Sequence, residues 1–120
     1  MVDRTIESII QGYAHAAWQA GIPISEMYLF GSHARGESHP ESDIDLIVVV
    51  DDTAREDALR VEGELWKLRA KTDSRIEPLL VFPEEWEGGE ARVIVLSAKR
   101  SAVRIALPKK EMVASAATGS

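Results

Sequence analysis

The segment that most restricts the fold is residues 43–50, where two aspartates open a run of aliphatic side chains, Asp-Ile-Asp-Leu-Ile-Val-Val-Val. Such a β-branched run, closed by two further acids, is typical of a β-strand. Side chains alternate along a strand, so Asp43 and Asp45 project from one face, roughly 7 Å apart at ~3.3 Å per residue. Ile44 and Leu46 then point to the opposite face and enter the core. The pattern predicts a strand that is buried on one side and chemically functional on the other.

Two carboxylates side by side on a strand repel each other, so the fold must gain something from placing them there. The commonest gain is a hard divalent cation, Mg²⁺ or Mn²⁺, bound through oxygen. About a dozen residues earlier, Gly31 and Ser32 close another apolar run and suit close approach of backbone amides and a hydroxyl to phosphate oxygens. Together the two features predict a site for a magnesium-bound nucleoside triphosphate. A Walker A loop is disfavoured because Glu37 stands where that motif requires lysine.

Two longer helices are predicted from their caps and their apolar spacing. Asp3 precedes apolar residues spaced i, i+3, i+4 and i+7, and Gly21 ends that pattern. Thr53 and Glu56 form a capping box, which predicts that a second helix starts there and continues until Thr72. Shorter helical segments are predicted over residues 83–86 and 91–100.

Three further strands complete the predicted sheet, over residues 27–30, 75–82 and 103–107. Pro78 lacks the amide proton that a strand ladder needs, so the strand containing it is expected at a sheet edge. The order α, β, loop, β, α, β predicts an α/β (α+β) domain, a small mixed β-sheet with two helices packed on one face. We expect this domain to span residues 1–107 and residues 108–120 to form a flexible tail.

Composition excludes several classes of protein. The chain has 120 residues, the size of one domain, and its lack of cysteine excludes disulfide frameworks, thiolate zinc sites and cysteine nucleophiles. Its net charge of −6 disfavours binding to a nucleic-acid backbone. The acids are concentrated, since residues 37–64 hold ten acids and two bases, whereas residues 91–120 hold one acid and six bases. Without an apolar run near the ~20 residues of a membrane span, and without a signal-peptide pattern, a cytoplasmic protein is expected.

Residues 29–49 carry a resemblance to a known family, in the run Leu-Phe-Gly-Ser-His-Ala-Arg-Gly-Glu-Ser-His-Pro-Glu-Ser-Asp-Ile-Asp-Leu-Ile-Val-Val. This run resembles the signature of the DNA polymerase β-like nucleotidyltransferase superfamily, in particular its minimal nucleotidyltransferase (MNT) domains. The resemblance implies that superfamily's fold over about residues 3–107, and a third carboxylate from a later strand, for which Glu77 is the matching position. It also implies two Mg²⁺ ions, one held by Asp43 and Asp45 and the second by these residues together with Glu77.

The same resemblance implies roles for the loop. Gly31 and Ser32 would hold the β- and γ-phosphates of ATP or another nucleoside triphosphate, pyrophosphate would leave, and Glu77 could act as the general base. Arg35 would either pair with phosphate or brace the loop through an ion pair with a carboxylate. Two positions depart from the family pattern, because His33 stands where arginine is usual and Glu77 where many members carry aspartate. His33 and His39 are interpreted as exposed loop residues.

The acceptor is the remaining question. Small-molecule members of the superfamily carry a further helical domain that closes over the acceptor, and 120 residues leave no room for one. We therefore expect the second wall of the site to come from another chain. The MNT resemblance implies a HEPN-type helical toxin, with a tyrosine that receives AMP, and an antitoxin role for this chain. Two alternatives stay open: a non-catalytic antitoxin that neutralises its partner by binding, and a homodimeric, aminoglycoside-type nucleotidyltransferase that completes its own site.

Overall fold

The computed structural model describes residues 2–39 and 41–108, which form a four-stranded mixed β-sheet with helices on both faces. The helices are α1 (Arg4–Gln19), α2 (Ser32–Arg35), α3 (Ala58–Lys67), α4 (Pro83–Glu87) and α5 (Val93–Lys99). The strands are β1 (Ile24–Phe30), β2 (Ile44–Val50), β3 (Ile76–Val81) and β4 (Val103–Ile105). They lie in the order β3-β2-β1-β4, with β2 and β3 parallel and the other two pairs antiparallel. In the described part of the chain, every helix is too short or too polar to span a bilayer.

One face of the sheet carries the main core, covered by α1 and α3. The Asp3 carboxylate caps α1 by accepting from the amides of Thr5 and Ile6, at 2.6 and 3.4 Å. The apolar stripe of α1 then packs on the inward side chains of β2, among them Ile44 and Leu46, which are fully buried. Each such burial stabilises the fold by roughly 1.5–3 kcal/mol. The prediction of a mixed sheet with two helices on one face is confirmed.

The opposite face is covered by the short helices α4 and α5. Alternation along β2 sends Ile47 and Val49 to this side, where Val95 and Ala98 of α5 pack on them. Trp86 of α4 completes the layer, because its ring lies 4.4 Å from that of Tyr28 on β1. The structure thus adds a thin second layer to the predicted one-sided packing.

The start of the second long helix differs from the prediction. A 3-10 helix, Asp52–Asp57, precedes α3, and Asp51 is its cap, with the Thr53 amide donating to the Asp51 carboxylate at 2.9 Å. The capping box predicted at Thr53 and Glu56 is therefore wrong. The Asp51 side chain lies directly after β2 and accepts from the Thr53 amide. This amide comes before those that a Thr53 hydroxyl would cap, so the helical segment starts two residues earlier than predicted.

The predicted strands are present, with shifted ends. Strand β1 begins at Ile24, earlier than predicted, and its pairing with β2 has a register irregularity between Ile24 and Glu26. Strand β3 is outermost in the sheet, so the edge position predicted from Pro78 is confirmed. Of the predicted tail, all but Pro108 lies outside the described residues.

Tyr13 ties α1 to α3 through a buried hydroxyl. This hydroxyl donates to the Leu65 carbonyl at 2.5 Å, and burial raises the pKa of the phenol above its ordinary value. We expect Tyr13→Phe to lower the free energy of unfolding by about 1–2 kcal/mol, because the bond is lost inside the core. Denaturant unfolding measures this. The matched control is Tyr28→Phe, which removes a partly buried bond to Glu26 and should cost under ~0.5 kcal/mol; equal losses would contradict the prediction.

Candidate active site

The strand directions bring the loop and the acids together at one end of the sheet. Gly31 follows the carboxyl end of β1, and the antiparallel β2 begins beside it. Asp45 is paired with Phe30 of β1 on one side and with Glu77 of β3 on the other. Asp43 precedes β2, two residues before Asp45 and therefore on the same side of the chain. Residues that are far apart in sequence thus meet at one edge.

Gly31 lies directly against the Asp45 carboxylate. A Cβ atom at position 31 would be 2.3 Å from Asp45 Oδ2, closer than any real contact of that kind. Its backbone has φ +74° and ψ −154°, a combination open essentially to glycine alone. The sequence therefore needs glycine here for two separate reasons, conformation and space.

Ser32 begins α2, a single helical turn that follows Gly31. The amides of Ala34 and Arg35 donate to the Gly31 carbonyl at 3.1 and 3.2 Å, which closes the turn. No side chain caps α2, so the amides of its first turn lack the usual capping acceptor. An anion can therefore approach both the backbone at Gly31, which has no side chain, and the hydroxyl of Ser32.

Two of the three carboxyls, Asp45 and Glu77, have raised pKa values. Burial, followed by the negative charge of Asp43, raises the pKa of Asp45 above its ordinary value. The pKa of Glu77 is also raised, first by burial and then by a hydrogen bond to Asp43 and the charges of Asp43 and Asp45. The three carboxyls at this edge have little positive charge near them, and a bound cation would supply it.

Two basic side chains on the loop, His33 and Arg35, offset part of this repulsion. The charges of His33 and Arg35 act to lower the pKa of Asp45, although burial and Asp43 outweigh them. His33 is half-buried rather than fully exposed, with Nε2 3.4 Å from the Ser42 carbonyl oxygen. Arg35 makes an ion pair with Glu37 at 2.6 Å, the bracing alternative that the sequence left open. A phosphate contact by Arg35 stays a prediction.

Arg69 is a charged neighbour of the site that the sequence pattern did not single out. It lies after α3, stacks its guanidinium over the Trp66 ring at 4.7 Å, and donates to the Ser74 carbonyl at 2.5 Å. Its charge acts to lower the pKa of Glu77. Its Nε is buried without a hydrogen-bond partner. The only sequence signal was a tryptophan and an arginine three residues apart on a helix, a common spacing that carries little information.

The donor set fits a hard divalent cation, although its side chains are not arranged around one. Within residues 2–39 and 41–108, no three acidic or histidine side chains form a ready metal-binding group. After burial, the neighbouring Asp43 carboxyl does most to raise the pKa of Glu77. Three carboxylates at one edge of the sheet, two of them with raised pKa values, provide the oxygen ligands that Mg²⁺ or Mn²⁺ requires.

A second concavity has no comparable chemistry. An open groove of about 860 Å³ is lined by residues 88–92 and by side chains near them, and it contains none of the three carboxylates. Its two arginines are already engaged: Arg55 pairs with Asp52 and Glu84, and Arg92 pairs with Glu85. The edge that carries Asp45 and Glu77 is therefore the stronger candidate.

Comparison with known proteins agrees with this geometry. A sequence-family model for the nucleotidyltransferase domain matches residues 16–102, most of the chain. No curated protein sequence matches it. Among solved structures, a protein from Sulfolobus solfataricus described as a candidate nucleotidyltransferase has a TM-score of 0.57 at 17% identity, over 83% of this chain and 78% of that one. This likeness supports the predicted fold class.

Two crystal structures of toxin-antitoxin proteins are also similar to this chain, with lower scores. One, described as a toxin-antitoxin with AMP-PNP, has a TM-score of 0.48 at 23% identity. The other, a mutant of the toxin-antitoxin MntA-HpeT, has a TM-score of 0.43 at 20% identity. Each match covers 87% of this chain and 80% of the other.

Proposed function

The chain belongs to the nucleotidyltransferase domain family, and from that premise we propose that it transfers AMP, or another NMP, from a nucleoside triphosphate to an acceptor hydroxyl. One observation carries the proposal: Asp45 and Glu77 are paired in register on the parallel strands β2 and β3, and the Gly31 backbone lies against the Asp45 side chain. Acids that can hold a cation thus lie beside a backbone that phosphates can approach. The resemblance of residues 29–49 to the MNT signature agrees with this reading.

The acids and the loop residues would have separate roles in this reaction. Asp43, Asp45 and Glu77 would hold Mg²⁺ or Mn²⁺, which supplies charge for the triphosphate and lowers the pKa of the acceptor hydroxyl. The backbone at Gly31 and the hydroxyl of Ser32 would bind the β- and γ-phosphates. Arg35 could reach a phosphate once its ion pair with Glu37 opens.

The chemical step is a substitution at the α-phosphorus. The acceptor oxygen forms a bond to this phosphorus while the bond to the bridging oxygen breaks, so pyrophosphate leaves. Glu77 would accept the proton of the acceptor hydroxyl.

For the acceptor, we propose a tyrosine hydroxyl of a HEPN-type toxin, which makes this chain the antitoxin and an adenylyltransferase that acts on a protein. The MNT resemblance supports this choice. So does the exposure of Asp43, which a side chain of another protein could approach from solvent. A tyrosine projecting from a partner surface could reach the edge without a further domain on this chain.

Label transfer tests the proposal. The protein is incubated with Mg²⁺ and a candidate HEPN partner, in parallel with ATP labelled at the α- or the γ-phosphate. We expect the partner to acquire the α-label alone, because nucleotidyl transfer leaves the γ-phosphate in pyrophosphate. Replacement of the acceptor tyrosine by phenylalanine should remove the label. Transfer of the γ-label, or no label on any tested partner, would contradict the proposal.

A second candidate is a non-catalytic antitoxin, which the departures from the family pattern at His33 and Glu77 favour. Calorimetry with Mg²⁺-ATP separates the two candidates. Metal-dependent nucleotide binding that is lost in Asp45→Asn supports the enzyme, whereas toxin neutralisation without nucleotide binding supports the binder. Turnover of an aminoglycoside without any partner would instead support a homodimeric small-molecule transferase.

A further inference from the structure

Helix α5 presents apolar side chains to solvent on the side away from the sheet. Its Val95 and Ala98 are buried against the sheet, whereas Val93 and Leu96 are 82% and 46% exposed. Val93, Leu96 and Arg100 follow the spacing i, i+3, i+7 and so share the outward side of the helix. Exposed Ile94 extends the apolar area. We call Val93, Ile94 and Leu96 the α5 patch.

The α5 patch lies between charges of opposite sign. Glu87 and Glu90 precede the helix and are exposed, Arg100 directly follows it and is exposed, and the seven residues of α5 span about 10 Å. Among the described side chains, none of these three takes part in an ion pair. Arg104 on β4 is paired with Tyr28 and so points to the same face of the sheet as α5; it is 67% exposed and only loosely paired with Glu26, at 3.4 Å.

This arrangement is self-complementary. A two-fold axis through the middle of α5 sets the helix antiparallel to its copy, so that apolar surface meets apolar surface and each acidic end meets a basic end. A partner surface with one sign of charge would match only one end and be repelled by the other. We propose that the α5 patch is a self-association surface on which a second copy of this chain docks in antiparallel orientation.

The surface adjoins the candidate active site without including it. Ile47 and Val49, on which α5 packs, follow Asp45 on the same side of β2, and Val81 follows Glu77 on β3 in the same way. A second copy on α5 would therefore border the face that carries the carboxylates. The apolar part of the patch is a few hundred Å², so the dimer is expected at the small end of specific interfaces, with a micromolar Kd.

Sedimentation of the full chain, from about 1 to 300 μM, tests the surface. We expect a reversible monomer–dimer equilibrium that Leu96→Glu weakens at least tenfold. The matched control is Leu59→Glu, since Leu59 is 88% exposed on α3, outside the patch, and its change should leave the equilibrium within about threefold of wild type. A wild-type chain that stays monomeric throughout, or equal loss in both variants, would overturn the proposal.

Charge reversal provides a test that a folding defect cannot imitate. Glu90→Arg and Arg100→Glu should each weaken self-association about tenfold, because a two-fold dimer then contains two like-charge contacts. An equimolar mixture should form a heterodimer near wild-type strength, since both contacts again join opposite charges. A mixture as weak as either variant alone would overturn the antiparallel arrangement. Nucleotidyl transfer is scored separately, so failure here leaves the proposed function untouched.

Discussion

Asp45→Asn is expected to abolish nucleotidyl transfer, with kcat/KM reduced at least roughly 10³-fold. The Asp45 carboxylate lies against Gly31 and is paired in register with Glu77, so it connects the loop to the other acids of the proposed site. A cation held in such a site supplies several kcal/mol to the transition state, and each 1.36 kcal/mol corresponds to a tenfold change in rate. Label transfer to the acceptor, with initial rates compared between wild type and variant, measures the effect.

The same substitution should stabilise the fold at neutral pH. A carboxyl whose pKa is raised by folding binds its proton more tightly in the folded state, so stability falls as pH rises from its ordinary pKa of 3.8 through the raised value. Asparagine removes this charge. We expect Tm at pH 7 to rise on the order of 2–4 °C. Mg²⁺ should stabilise the wild-type chain and leave the variant nearly unchanged, which thermal unfolding detects without an activity assay.

The matched control is Asp57→Asn. Asp57 is exposed, and among the described residues its one ion pair is with Arg60, at 3.6 Å. Its charge is therefore in contact with solvent and not buried. This variant should keep wild-type transfer and change Tm by less than ~2 °C. Retained activity in Asp45→Asn, or an equal gain of Tm in both variants, would show that Asp45 is an ordinary surface acid.

Gly31→Ala is expected to damage both the fold and the site. The new Cβ would be 2.3 Å from Asp45 Oδ2, and the backbone at φ +74° and ψ −154° is strained for any residue with a side chain. Strain of this kind costs about 1–3 kcal/mol, and overpacking adds a similar amount. We expect a loss of about 2–4 kcal/mol in unfolding free energy, and a fall in transfer of at least ~100-fold because Asp45 is displaced.

Gly36→Ala separates the two causes. Gly36 also has a positive φ, +73°, yet a Cβ there meets no atom within 4 Å. It should therefore show only the conformational cost, about 1 kcal/mol, and keep most of its activity. Denaturant unfolding and label transfer are compared for the two variants. If Gly31→Ala reduced stability and label transfer no more than Gly36→Ala does, the contact between position 31 and Asp45 would not matter for either.

The acidic strand could be predicted from sequence because its signals are local. Residues 43–50 alternate acid and apolar side chains before a fully aliphatic stretch, an order typical of a strand, although β2 is buried on both faces along that stretch rather than on one as predicted. Pro78 likewise carried its own constraint, the missing amide proton, and β3 is an edge strand. Where a residue's own chemistry limits its environment, the sequence is sufficient.

The details that could not be predicted depend on contacts between distant segments. The proximity of Arg69 to Glu77 depends on the path of the chain between α3 and β3. No local sequence pattern predicts that path. The choice between phosphate and Glu37 as the partner of Arg35 was left open for the same reason. Asp51 took the capping role from Thr53 because β2 ends one residue before it, and strand ends are set by pairing across the sheet.

The parallel pairing of β2 and β3 also sets the order in which the site can assemble. Glu77 reaches Asp45 only after the chain has left β2, passed through α3 and returned to the same end of the sheet. Such non-local pairing forms slowly compared with the local contacts of helices. During synthesis, a chain that has emerged only as far as Lys71 carries Asp43 and Asp45 without the third acid. Under the proposed function, the three acids come together only when this crossover closes, so we expect an incompletely folded chain to be inactive.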